Sequence, residues 1–214
     1  MKDIAIYGAG GFGRETAWLI HEIAQHDESW NLIGFFDDGL KPGVLVDGLP
    51  VLGGLKEVNQ YGEPLELVIA IANPQIRSKC VKAITNHRIH FPVVIHPSVL
   101  RGAPDNVFGK GCILTAGVIL TTGIVIGEFA IVNLATTLGH DVKLGNFSSI
   151  MPQCSISGNV TIGERTFIGA GARVLQGVTI EADTVVGAGA VVTKSFPAGS
   201  RLIGVPAQHV PPTA

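Results

Sequence analysis

A chain of 214 residues with 15 Lys+Arg against 17 Asp+Glu carries a formal net charge of −2 and no basic block, which argues against a nucleic-acid partner. The hydrophobic fraction is 46% with only 6% aromatic, which suits one or two domains with an interior of Ile, Val, Leu and Ala. No apolar run approaches the roughly 18 residues of a membrane span, and Cys80, Cys112 and Cys154 form no CxxC pair. The composition therefore predicts a soluble protein of a reducing cytoplasm, without signal peptide, disulfide framework or metal site.

Residues 3–7 read as a buried strand. Gly8-Ala9-Gly10-Gly11-Phe12-Gly13 follows at once, and residues 14–25 read as a helix. This is a G-x-G-x-x-G turn between strand and helix, where glycines let backbone close on a ligand and a helix N-terminus favours phosphate. A second strand over 32–36 ends at Asp37 and Asp38, whose carboxylates could accept ribose hydroxyls. Residues 66–71 read as a third strand, Ala72-Asn73-Pro74 opens a helix to about Thr85, and 91–95 read as a short fourth strand. Strand and helix alternate, so a small Rossmann-like α/β domain with a parallel sheet is expected over 1–95. The turn alone leaves open a nicotinamide-dependent oxidoreductase, or a tight turn that binds nothing.

From residue 96 the pattern changes. Phe108, Leu114, Leu120, Ile126, Val132, Leu138, Leu144, Ile150, Ile156, Ile162, Ile168, Val174, Ile180, Val186 and Val192 stand six apart without exception. Neither a helix nor a single strand repeats at six, so the series predicts a solenoid in which each coil buries its apolar face on the next. Three hexads make a coil, which gives about five coils over 96–214. Small or β-branched residues recur two positions before each marker, from Cys112 and Val118 to Thr184 and Ala190, and suit a narrow interior. Glycine follows the marker at Gly109, Gly127, Gly139, Gly145, Gly163, Gly169 and Gly187, where a positive φ at a tight corner would explain it.

Of seven histidines only His140 lies among the repeats, two positions past Leu138 and beside Asp141. A histidine can take a proton near neutral pH, and an adjacent carboxylate raises its basicity. A solvated corner histidine has the same local sequence. His21, His26, His87 and His90 read as surface residues.

The hexad array resembles the left-handed parallel β-helix acyltransferases. With the glycine turn, Asn133…His140-Asp141 and the ending Gly204-Val205-Pro206-Ala207, the chain resembles the sialic-acid O-acetyltransferases and bacillosamine-pathway N-acetyltransferases, which carry an N-terminal nucleotide-sugar domain. The resemblance implies a homotrimer with sites between neighbouring β-helices. It implies acetyl-CoA as donor and an amino or hydroxyl group of a sugar, often nucleotide-linked, as acceptor. In that family His140 would be the general base, Asp141 its orienting partner, Asn133 an acceptor contact, and the Gly158 amide the donor to the thioester oxygen. Ser149, Ala170 and Ala188 would line the acetyl-CoA groove together with Gly158. Gly10, Gly11, Phe12, Asp37, Asp38 and Ala72 would surround the nucleotide sugar.

Four positions depart from the family pattern. Asp141 is one methylene shorter than the usual Glu. Phe12 stands where relatives carry His, and Ala72 where they carry Gly. Gln208 and His209 replace a basic residue near the end, which leaves Arg201 or Lys194 to meet the CoA phosphate. A trimeric nucleotide-sugar-binding scaffold without catalysis, or an acyltransferase with another acyl donor, remains compatible with the same residues.

Overall fold

The computed structural model describes residues 1–26 and 29–211. The chain folds into two compact units, Met1–Pro97 and Ser98–Ala214. No helix among the described residues is long and apolar enough to cross a membrane.

The first unit contains β1 (Lys2–Tyr7), α1 (Gly11–Ala24), β2 (Trp30–Phe36), β3 (Leu45–Val46), β4 (Leu49–Gly53), α2 (Leu55–Gln60), β5 (Leu65–Ile69), α3 (Pro74–Ala83) and β6 (Ile89–His90). The sheet order is β3-β4-β2-β1-β5-β6. β1 pairs parallel with both β2 and β5, and its Ile4, Ala5 and Ile6 are fully buried. This is the expected parallel α/β domain. Helix α1 starts three residues earlier than the sequence pattern predicts, because all of Gly11-Phe12-Gly13 joins its first turn. A Cβ on Gly13 would lie 1.9 Å from the Gly8 carbonyl oxygen, so the third glycine of the motif is needed for close helix–strand packing.

Two local expectations change. The run 91–95 is not one strand. Ile89–His90 pairs with β5 and Val94–Ile95 is separate, with Pro92 between them unable to donate to a ladder. The β3–β4 hairpin was not anticipated. Its tip is Asp47-Gly48 at φ 48 and 82, the left-handed pair that a two-residue hairpin turn requires.

The second unit is the expected β-helix. Its first face stacks strands from Ile113–Leu114 to Val185–Val186 and Arg201–Ile203. The second runs from Ile119–Leu120 to Val191–Val192, and the third from Val107–Phe108 to Thr179–Ile180. All neighbouring coils pair in parallel at a shift of eighteen residues, as in Thr137↔Ser155 and Leu138↔Ile156. Every marker from Leu114 to Val192 is buried, and only Phe108 in the first coil is half-exposed. The register two residues earlier is buried throughout, from Cys112 to Ala190.

The corner glycines have a different cause from the one expected. Positive φ falls three residues past the marker, at Gly111, Gly117, Gly123, Phe129, Ala135, Asp141 and onward. The glycine directly after the marker is required by stacking. A Cβ on Gly127 would lie 2.7 Å from the Asn146 nitrogen, and one on Gly145 2.5 Å from that of Glu164. Other side chains stack on the same repeat. Phe129 and Phe147 lie parallel at 5.2 Å between centroids, and Arg165 bridges one coil by a fork of bonds to Asp183 at 2.8 and 2.7 Å.

Ile162 is 1% exposed within this stack. Ile162→Asp would place a charge in the apolar interior and is expected to cost several kcal/mol. Thermal unfolding followed by circular dichroism should show a large loss of stability or no cooperative transition.

Candidate active site

His140 lies at the corner between the second and third faces. Its column is Thr122, His140, Gly158, Gln176 and Lys194, one residue per coil, fixed by the parallel registers of the second face. The Asp141 amide donates to Thr122 O at 2.9 Å, and the Asn159 amide donates to His140 O at 2.7 Å. Asp141 has φ 60. This left-handed turn brings two sequence neighbours side by side, so that Nδ1 of His140 sits 2.9 Å from Oδ2 of Asp141. The shorter carboxylate thus reaches the ring because of the corner backbone. The side chains are 52% and 62% exposed, so the pair adds little stability, and what it sets is ring orientation. A carboxylate accepting from Nδ1–H leaves Nε2 as the free acceptor.

Nε2 faces the next coil. A Cβ built on Gly158 would lie 2.3 Å from Nε2, 2.5 Å from Cε1 and 2.7 Å from Cδ2. The ring occupies the space a side chain on residue 158 would fill. Of the residues singled out from sequence, His140, Asp141 and Gly158 are therefore brought together.

The others lie elsewhere on the same prism. Asn133 is at the corner between the first and second faces and is 5% exposed. Its Oδ1 accepts from the Thr115 hydroxyl at 3.1 Å and from the Leu134 amide at 2.8 Å. Ala170 and Ala188 are exposed on that corner, where the Gly189 amide donates to Ala170 O at 2.8 Å. Ser149 faces outward on the first face yet is fully buried. A single chain thus places His140 and Gly158 on one corner and Asn133, Ala170 and Ala188 on another. Lys194 extends the His140 column two coils beyond Gly158, roughly 10 Å at about 4.8 Å per coil. Arg201 belongs to the first face, beside Val185.

In the first unit, Gly10 caps the start of α1 without a side-chain bond, and the first turn holds no acidic residue. A Cβ on Gly10 or Gly11 would meet nothing within 4 Å, so the turn presents open backbone, with Phe12 half-buried beside it. The acidic pair is tied to the chain by its own bonds. Asp37 Oδ2 accepts from the Ala9 amide at 2.8 Å and Oδ1 from that of Gly39 at 2.8 Å. Asp38 Oδ1 accepts from the Leu55 amide at 2.8 Å, and Oδ2 from the Tyr7 hydroxyl. Both carboxylates brace the chain itself, each oxygen accepting one bond, with Asp37 half-buried and Asp38 exposed.

Both units match known families. Residues 3–84 match the PglD N-terminal domain, and residues 141–176 and 159–194 match the bacterial transferase hexapeptide repeats. The acetyltransferase domain of PglB from Neisseria gonorrhoeae FA1090 superimposes with a TM-score of 0.90 at 31% identity, over 98% of this chain and 100% of that one. It has also been solved in complex with acetyl coenzyme A. This chain belongs to the hexapeptide-repeat sugar acetyltransferases of the bacillosamine and perosamine type. PerB from Caulobacter crescentus, solved with CoA and GDP-perosamine, has a TM-score of 0.88 at 32% identity over 99% of this chain and 98% of that one. The GDP-perosamine N-acetyltransferase of Escherichia coli O157:H7 is 33% identical over 144 residues, which is 67% of this chain and 64% of that protein. The matched region thus spans just under two thirds of that curated relative.

One buried residue of this family member escaped the sequence reading. Arg77 on α3 is 1% exposed, and its guanidinium donates to the carbonyls of Ile71 and Ala72. Burial pushes it down to about 9. It fixes the backbone of Ala72, a position expected near the sugar nucleotide. A lone Arg on a helix carries no pattern that separates this role from a surface one.

Proposed function

We propose that the protein transfers the acetyl group of acetyl-CoA to an amino group of a nucleotide-linked sugar, with His140 as general base. The observation that carries this reading is the His140 imidazole held by Asp141 through Nδ1, with Nε2 lying over a residue that lacks a side chain. In the reaction the acceptor nitrogen attacks the thioester carbonyl and gives its proton to Nε2. The carbonyl oxygen gains charge and accepts from the Gly158 amide. The attack forms the C–N bond; collapse re-forms the carbonyl, breaks the C–S bond and releases the thiolate, which takes the proton back from Nε2. Asp141 holds the ring and balances the imidazolium.

The separation of residues on two corners supports an assembly of copies. If Ala170 and Ala188 hold the donor, and Asn133 the acceptor, the corner with His140 must come from a neighbouring β-helix. We therefore propose a homotrimer with the site between chains. The open backbone at Gly10 and Gly11 suits the acceptor diphosphate. Three cysteines without a disulfide suit a cytoplasmic enzyme.

Incubation with acetyl-CoA and a panel of nucleotide-linked amino sugars, with free CoA read by a thiol reagent, tests the reading. Turnover with at least one amino sugar is expected. Absence of turnover, together with nucleotide-sugar binding, would leave a binding scaffold in its place. Turnover only with another acyl thioester would replace the donor.

A further inference from the structure

The strand ends of the first unit carry a hydrogen-bonded chain that acetyl transfer does not use. Tyr7 ends β1 and is 4% exposed. Its hydroxyl donates to Asp38 Oδ2 at 2.5 Å. Asp38 follows β2, and its Oδ1 accepts from the amide of Leu55, the first residue of α2. The fit is close, since a Cβ on Gly54 would lie 2.5 Å from that same oxygen. Cys80 on α3 is a free thiol that burial pushes up to about 12. The phenol, through Asp38, thus links β1, the end of β2 and the start of α2.

The neighbouring carboxylate works in the same way. Asp37 binds the Ala9 amide in the glycine turn with one oxygen and the Gly39 amide with the other. All four oxygens of the acidic pair therefore accept from the chain itself. Asp38 is exposed and Asp37 half-buried, and what their bonds fix is the course of the main chain around residues 37–39. The shape of that main chain depends on the two carboxylates, and Asp38 in turn depends on Tyr7.

We infer that Tyr7 is a positioning residue for the nucleoside end of the acceptor: acting through Asp38, it holds the segment 37–55 in the shape that recognises a nucleoside diphosphate through backbone groups. This rests on the nucleotide-sugar reading of the acceptor. It gives Asp37 and Asp38 a supporting role beside any contact they make with the ligand. A hydroxyl bonded to a carboxylate is charge-assisted, and this bond is part-buried, so its loss is felt more than that of a neutral pair.

Tyr7→Phe keeps the ring in the core and removes only the hydroxyl. Calorimetry with GDP and with UDP is expected to show about tenfold weaker binding of whichever diphosphate the wild type binds. Acetyl-CoA affinity should stay within about twofold, and amide exchange over 37–55 should quicken. In turnover, KM for the sugar nucleotide should rise with kcat little changed, which a general loss of fold does not produce. Asp38→Asn added to Tyr7→Phe should weaken binding little further, because both act through one bond. The inference is overturned if diphosphate affinity is unchanged, if acetyl-CoA affinity falls equally, or if the wild type binds neither diphosphate. Wild-type acetyl transfer is scored in its own assay, so failure of the acetyl-transfer reading is seen separately from failure of this one.

Discussion

His140→Ala is expected to lower kcat by about 10²–10⁴-fold, the usual contribution of a positioned general base. Acetyl-CoA should still bind, because the proposed donor contacts Ala170 and Ala188 stand on another corner of the prism and the Gly158 contact is a backbone amide that truncation of His140 leaves in place. Stability should change little. The His140 side chain is 52% exposed and its ion pair with Asp141 is solvated, so truncation leaves no cavity and no buried charge. Asp141→Asn should cost less than His140→Ala. The amide can still accept from Nδ1–H, but it no longer balances the imidazolium. Steady-state kinetics beside equilibrium binding of acetyl-CoA reads both effects. A variant that kept near-normal kcat would make His140 an ordinary corner residue, and the acceptor would then react as a free amine.

The β-helix was legible because its cause is periodic. A six-residue repeat of apolar markers has one physical solution that buries every marker, and a single Leu138 or Ile156 carries the same message as its neighbours. The glycine turn was legible for a similar reason, since strand, turn and helix each leave a local signal. What the sequence hid was contact between positions distant in the chain. The bond from Tyr7 to Asp38 joins residues 31 apart, and nothing in either neighbourhood announces it. The bonds of Asp37 and Asp38 to backbone amides were equally hidden, because an acidic pair after a strand reads the same whether it faces solvent or backbone amides. The corner glycines were noticed for the wrong reason. Their lack of Cβ serves the coil above or below eighteen residues away, which a local φ argument does not register. The reach of the short Asp141 was hidden in the same way, because it comes from a left-handed φ at a non-glycine residue.

Gly158→Ala is expected to lower kcat by about 10²-fold or more without unfolding the protein. The new Cβ would lie 2.3 Å from Nε2 of His140, far inside contact distance, so one of the two groups must move. The backbone of residue 158 is held in the coil: the Gly177 amide donates to its carbonyl at 3.0 Å. The imidazole is half-exposed and rotates more cheaply. It would swing away from the position where Nε2 faces the acceptor, and displacement by about 1 Å can cost 10²-fold. Its φ lies outside the left-handed region, so alanine meets no backbone strain there. Gly145→Ala is the matched control. Its Cβ would lie 2.5 Å from the Glu164 backbone nitrogen, so that clash forces coils apart and should appear as lost thermal stability. Gly158→Ala also keeps the amide N–H, which separates room for the ring from donation to the thioester oxygen. In the His140→Ala background, Gly158→Ala should then cost almost nothing more, because the ring it displaces is gone. A full additional loss in that background would mean that residue 158 acts on the donor itself, through the shape of the oxyanion contact, and not through His140.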